Sequence, residues 1–254
     1  MCRPASFVLT KDRVFWSKKS DSHEDIIEEF ELHSDGVRGP NIVRVEVTHR
    51  DMRTPLSEWK FEVVQDDLPP WHDPDVDESR ARTALIEWAA HKLVIDRACE
   101  VIDGQVYAYG SSSVTAYGSS RVTAYGSGTV TAYGSSRVKA FGSSTVYAYD
   151  SSTVYAYGSS SVMAYGSSTV TAYDRSTVYA YGSSSVTAYG SSTVYAYGSS
   201  TVKAYGSGTV KACENDATVS YCSCTEPVEP IGPHATVIDS RGDKSVVIQD
   251  EMEE

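Results

Sequence analysis

Valine recurs every eight residues from Val106 to Val210, fourteen times without a slip. No other feature of this 254-residue chain restricts its fold so tightly. Two positions after each Val stands Ala, from Ala108 to Ala212. The next residue is Tyr, except at Phe141 and Cys213, and the one after it is Gly, except at Asp150, Asp174 and Glu214. Self-similarity at a fixed period marks a solenoid, in which each repeat buries its apolar face against the next.

The unit reads T-V-x-A-Y-G-S-S. Its first five residues alternate and favour strands, and its last three favour turns. Successive side chains of a strand point to opposite faces, so Val and Ala share one face while Thr, x and Tyr share the other. The Val/Ala face does not vary, as a close-packed interior requires. The other face carries Thr, Tyr, Lys or Met at x, with Arg121, Arg137 or Gln105 in place of the leading Thr, and is expected to point outward. Replacement of the Gly by Asp implies a left-handed turn residue after each strand, since Asp is among the few residues that tolerate positive φ. One octapeptide makes one strand and one corner, so two make a coil. The sequence therefore predicts a β-solenoid of about seven 16-residue coils over 105–212, with Tyr rings in columns along its sides.

The phrase YGSSSVMAYGSSTV (Tyr157–Val170) resembles the octapeptide repeats of bacterial ice-nucleation proteins, which pair Tyr-Gly turns with Ser/Thr-rich strands in sixteen-residue coils. The resemblance covers only 105–212 and implies a β-solenoid and an ice-binding face of Thr-x-Thr ladders. Here Thr129-Val130-Thr131 and Thr169-Val170-Thr171 alone complete that triplet, and a two-strand coil puts them on opposite faces. The V-x-A-x-G cadence is also similar to the octapeptides of trimeric needle β-helices in phage and secretion-system spikes, where three chains share one interior. One chain or three is left open at this point.

Charge divides the chain into three parts. Residues 1–104 hold 14 Lys+Arg against 22 Asp+Glu, net -8; 105–212 hold 6 against 2, net +4; 213–254 hold 2 against 10, net -8. These are read as an α+β head domain, the repeat array, and a C-terminal cap with an acidic tail. All four Trp lie in the head, and all 18 Tyr lie between Tyr107 and Tyr221. The overall charge of -12 argues against nucleic acid or an anionic membrane as a partner. No apolar run reaches the roughly 18 residues of a membrane span. The N-terminal residues lack the pattern of a secretion signal, and the five Cys do not form a disulfide framework, so the expected location is cytoplasmic.

In the head, Ser6–Ser17 reads as a hairpin turning at Lys11-Asp12. Ser22 is the N-cap of an acidic helix, and Asn41–Thr48 and Glu58–Val64 alternate as strands. An amphipathic helix over Asp77–Val94 aligns Ala81, Ala84, Leu85 and Trp88. The order suggests a small α+β sandwich that covers the open end of the solenoid. Chemistry is sparse. Cys2 occupies the place of an N-terminal nucleophile if Met1 is removed, but Arg3 and Pro4 match no amidohydrolase signature. His23, His49, His72 and Asp73 lack metal-ligand spacing, and Pro69–Asp75 reads as a surface loop. Cys213, Cys222 and Cys224 make a weak metal set. The Arg241-Gly242-Asp243 triplet reads as the turn of a hairpin over residues 235–249.

The sequence thus points to a non-catalytic scaffold or binding module, with no catalytic residue, cofactor or metal expected. Self-association or a protein partner is the expected contact, and Tyr117, Tyr133, Tyr149 and Tyr165, sixteen residues apart, are the candidate association surface. The alternatives are an ice-binding solenoid, or an enzyme or effector activity in the head with the array as a spacer.

Overall fold

A computed structural model describes residues 5–32, 41–49, 53–212, 217–223, 236–239 and 246–249. The chain divides into two compact units, one ending at Leu93 and one beginning at Val94.

The first unit is an α+β fold. Strands β1 (Ala5–Leu9) and β2 (Val14–Phe15) form the expected hairpin, closed by the Thr10 N–H donating to the Arg13 carbonyl at 2.9 Å. Strand β3 (Val43–Thr48) pairs with β1 and β4 (Lys60–Val63) pairs with β3, giving an antiparallel sheet in the order β2-β1-β3-β4. Helix α1 (His23–Glu29) begins where expected, with the Ser22 hydroxyl accepting from the Asp25 N–H at 3.3 Å. Val8 and Ile26 share one cluster, while Trp59 and Trp88 meet edge to face with centroids 6.1 Å apart in another part of the unit.

Helix α2 (Pro74–Lys92) departs from the sequence reading at both ends. It starts earlier than Asp77 because Asp73 is a good cap: its carboxylate accepts from the Asp75 and Val76 N–H groups at 3.1 and 3.2 Å, with Pro74 in the first turn. The stretch read as a surface loop therefore ends in a helix cap. At the other end Leu93 and Val94 leave the helix and begin strand β5 (Leu93–Ile95). Branched Val94 and Ile95 suit a strand better than a helix.

The second unit is a one-chain β-solenoid. After β5 and β6 (Ala98–Ile102) come fourteen strands, β7 to β20, one per octapeptide from Gln105–Gly110 to Thr209–Ala212. Even-numbered strands from β6 to β20 form one sheet, and odd-numbered strands from β5 to β19 lie in the other. The chain alternates between the sheets, so two octapeptides close one coil and no second chain shares the interior. Neighbouring strands are parallel and in register, each residue opposite its equivalent sixteen positions away: Thr129 opposite Thr145, Val130 opposite Val146, Ala132 opposite Ala148.

The solenoid has about eight turns over residues 93–219, one more than the octapeptides alone suggest. The extra turn is β5 and β6, which lack the octapeptide but keep its physics. Val94 and Val101 join the array core, and Asp96 and Asp103 occupy positive φ of 48° and 49°. Asp96 Oδ1 accepts from the Ser111 N–H, and Asp103 Oδ1 from the Ser119 N–H, both at 2.8 Å. Beyond the array, β21 (Thr218–Ser223) stacks on β19 with a register shift at Ala204/Tyr205. Strand β22 (Thr236–Asp239) follows it and β23 (Val246–Gln249) returns antiparallel, as the expected hairpin. The Ser240–Asp243 turn lies outside the described residues.

The faces are as the alternation requires, except that Gln105, Tyr107 and Thr123, at outward positions of β7 and β9, are buried. No repeat Val from Val106 to Val210 is more than 5% exposed. The corners are left-handed: Gly158 has φ 71°, and Asp150 and Asp174 have φ 57° and 58°. A third inward residue escaped the sequence reading. The second Ser of the turn, replaced by Gly at Gly128 and Gly208, is buried, and from Ser112 to Ser192 its hydroxyl donates to the carbonyl three residues earlier, as Ser152 to Tyr149 at 2.7 Å and Ser168 to Tyr165 at 2.6 Å. The same hydroxyls approach the preceding coil: Ser152 Oγ lies 3.2 Å from the Ala132 carbonyl oxygen, and Ser168 Oγ 3.2 Å from that of Ala148. One side chain thereby closes its own corner and joins it to the coil before.

Candidate interaction surface

Because equivalent residues are in register, the aromatic residue that follows each Ala lies over its equivalent sixteen positions away. Parallel strands are about 4.8 Å apart, close to the separation of offset-stacked rings. The two periodicities agree, and two long columns result. On the even sheet Tyr117, Tyr133, Tyr149, Tyr165, Tyr181 and Tyr197 stack without interruption at 4.8–5.4 Å, with ring planes within 13° of parallel. The four residues singled out from the sequence are consecutive members of this column. On the odd sheet the column runs Tyr109, Tyr125, Phe141, Tyr157, Tyr173, Tyr189, Tyr205 at 4.7–5.2 Å. Phe141 preserves the stack but removes one hydroxyl. A short third stack, Tyr179 on Tyr195 at 4.9 Å, occupies the x position of the even sheet.

The columns are partly exposed, with Tyr117 and Tyr189 at 37%. The phenols of Tyr149, Tyr157 and Tyr165 are held above their ordinary ionisation range. Partial burial is the main cause, and adjacent phenols in the stack add to it, since a phenolate would face its neighbour's charge. At neutral pH these three phenols are therefore uncharged.

The even sheet is uncharged in a wider sense. Its outward residues on β8 through β18, with the Tyr that follows each, are all Ser, Thr, Tyr or Met. The odd sheet carries Arg121, Arg137, Lys139 and Lys203 outward. The array's net charge alone does not reveal this asymmetry. Position modulo sixteen carries the signal, since it assigns each octapeptide to one sheet. The two Thr-x-Thr triplets fall on different sheets, Thr129–Thr131 on β10 and Thr169–Thr171 on β15.

The head's candidate residues His23, His49 and His72 each have a different partner. His23 Nε2 lies 3.0 Å from the Val45 carbonyl oxygen, and His49 packs on Trp59 with centroids 4.2 Å apart. His72 Nδ1 is 2.8 Å from Asp77 Oδ2, and Arg80 donates to the other Asp77 oxygen at 3.0 Å and to the Thr10 carbonyl at 2.8 Å. That cluster fastens the start of α2 to the first hairpin. Lys92 is buried and donates to Asp21 at 2.7 Å and to the Ser20 carbonyl at 2.9 Å. Burial holds its ammonium below the ordinary range, with Asp21 opposing the shift. Among the described residues no group of three His, Cys, Asp or Glu could hold a metal, and no helix is long and apolar enough to cross a membrane. Cys2, Cys213 and Cys224, the Cys222 side chain and the Arg241–Asp243 triplet lie outside what is described.

No protein-family model, curated protein or solved structure matches the chain. The chain shares with ice-nucleation repeats a β-solenoid with 16-residue coils and Tyr ladders, and no family is identified.

Proposed function

We propose that the protein is a rigid scaffold whose copies associate side by side through the Tyr column of the even sheet. The observation that carries this reading is the uninterrupted, uncharged stack from Tyr117 to Tyr197. Rings already ordered by their neighbours lose little rotamer entropy on contact. A second column presents the same repeat, so two copies match rung for rung. Aromatic edges and phenol hydroxyls supply both apolar contact and hydrogen bonds.

The test is sedimentation of the full chain against a variant with Tyr117, Tyr133, Tyr149 and Tyr165 replaced by Ser. The variant should keep its circular dichroism and associate at least about tenfold more weakly. A wild-type chain that stays monomeric at high concentration would sink the proposal, as would a variant that sediments like wild type. The rival reading, an activity in the head, draws on the pair of half-buried His72 and buried Asp77. Both Asp77 oxygens already serve fastening contacts, so association is the reading retained.

A further inference from the structure

The odd sheet bears a feature that neither its core nor its Tyr column explains. Arg121 and Arg137 are direct partners on β9 and β11, and Lys139 lies two residues along the same outward face. All three are exposed. Like charges directly opposite one another in a sheet repel. The equivalent places on later coils hold hydroxyls, as at Thr153 and Thr169. Among the described residues no salt bridge involves Arg137 or Lys139. The array's own carboxylates are committed elsewhere: Asp150 and Asp174 each accept a backbone N–H at a corner, at 2.9 Å.

A complementary surface lies on α1. His23 and Ile26 are buried, while Glu24, Asp25, Glu28 and Glu29 occupy the opposite, exposed side. The last turn contains no base, so Glu28 and Glu29 face the negative end of the helix dipole. Residues i and i+4 on a helix, such as Glu24 and Glu28, have Cβ atoms about 5–6 Å apart. Arg121 and Arg137, on adjacent strands, are separated by about 4.8 Å. The spacings match, and the two surfaces carry opposite charge.

We infer that Arg121, Arg137 and Lys139 form a docking site for the acidic face of α1 from a second copy of this chain. The contact is ionic, joins two different surfaces, and uses the odd sheet, so it does not depend on the Tyr contact proposed above. It would give the assembly a direction that like-to-like stacking of Tyr columns lacks.

Charge exchange tests it in the background that carries the four Tyr→Ser changes, where the ladder contact is weakened. Three proteins are compared by sedimentation at matched salt and concentration: the Tyr→Ser parent, the parent with Arg137→Glu and Lys139→Glu, and the parent with Glu28→Lys and Glu29→Lys. All the changes are on exposed side chains, and Lys in the last turn of α1 suits its dipole. The parent should self-associate, and each reversed protein alone should do so at least about tenfold more weakly. An equimolar mixture of the two reversed proteins should associate again, because opposite charges then face each other. A parent that is monomeric, reversed proteins that associate like the parent, or a mixture that stays monomeric would each overturn the inference. The first of those outcomes would leave the Tyr proposal standing.

Discussion

At the scale of single residues, the array is governed by one backbone angle and inward Val, Ala and, except at Gly128 and Gly208, Ser in each octapeptide. Val154 has no solvent contact, while Thr153 beside it faces outward. Val154→Asp places an unpaired charge in a dry core and should cost on the order of 4 kcal/mol or more; Thr153→Asp should stay within about 1 kcal/mol. Thermal melting of the two variants checks this, and similar melting temperatures would mean the faces are reversed. The corner gives a second contrast. A Cβ at Gly158 would lie 2.9 Å from the Gly142 carbonyl oxygen, at a φ of 71° that a branched side chain resists. Gly158→Val should therefore cost at least about 1 kcal/mol in denaturant titration. Asp150→Gly relaxes an unfavourable φ but loses the bond from its carboxylate to the Gly134 N–H, so it should be nearly neutral. Positive φ was legible in the sequence because only Asp replaces Gly within the regular repeats. The buried Ser was not, because Ser suits any polar turn. Its inward role depends on carbonyls that only the closed coil brings within reach.

At the scale of elements, regular strand spacing turns one Tyr per octapeptide into a continuous stack, and the stack acquires a property no lone Tyr has. Ionising one phenol makes ionising the next harder. The phenols of Tyr149, Tyr157 and Tyr165 are raised in the folded chain, so folding favours their protonated form. This contribution to stability is complete below the unfolded phenol range near 10 and is lost as pH rises through the higher folded range. The array should therefore weaken above about pH 10, with phenolate absorbance rising later than in the denatured chain. Coincident titration of folded and denatured protein would contradict the stacking effect. The strands, their faces and the column membership were legible because the period is uninterrupted over fourteen octapeptides. The first turn was not, because Val94, Asp96, Val101 and Asp103 reproduce the buried Val and left-handed corner without the words of the repeat. Helix α2 was misplaced at both ends for local reasons: Asp73 and Pro74 make a stronger start than the residues after them, and Val94 and Ile95 are better used in a strand.

At the scale of the whole molecule, the two units carry separate cores and separate chromophores. All four Trp report the head, and no Tyr precedes Tyr107. Trp fluorescence and array circular dichroism should therefore give non-coincident denaturant transitions, the sign of two folding units. A single coincident transition would show that the units unfold as one. The head offers many kinds of contact over few residues, and the array offers one kind many times. That sameness has a consequence for inheritance. Because the inward Val and Ala of each rung match those of the rung above and below, a coil has no address in the core. Loss or duplication of sixteen residues within the array would leave both new neighbours matched, changing only the reach of the molecule. A slip of eight would keep Val and Ala inward but exchange the two outer faces for every coil that follows, moving Tyr-rich and basic rungs to the other side. Copying errors in the gene that would ruin a domain with a unique core can here tune length freely, and can reassign whole surfaces in a single step.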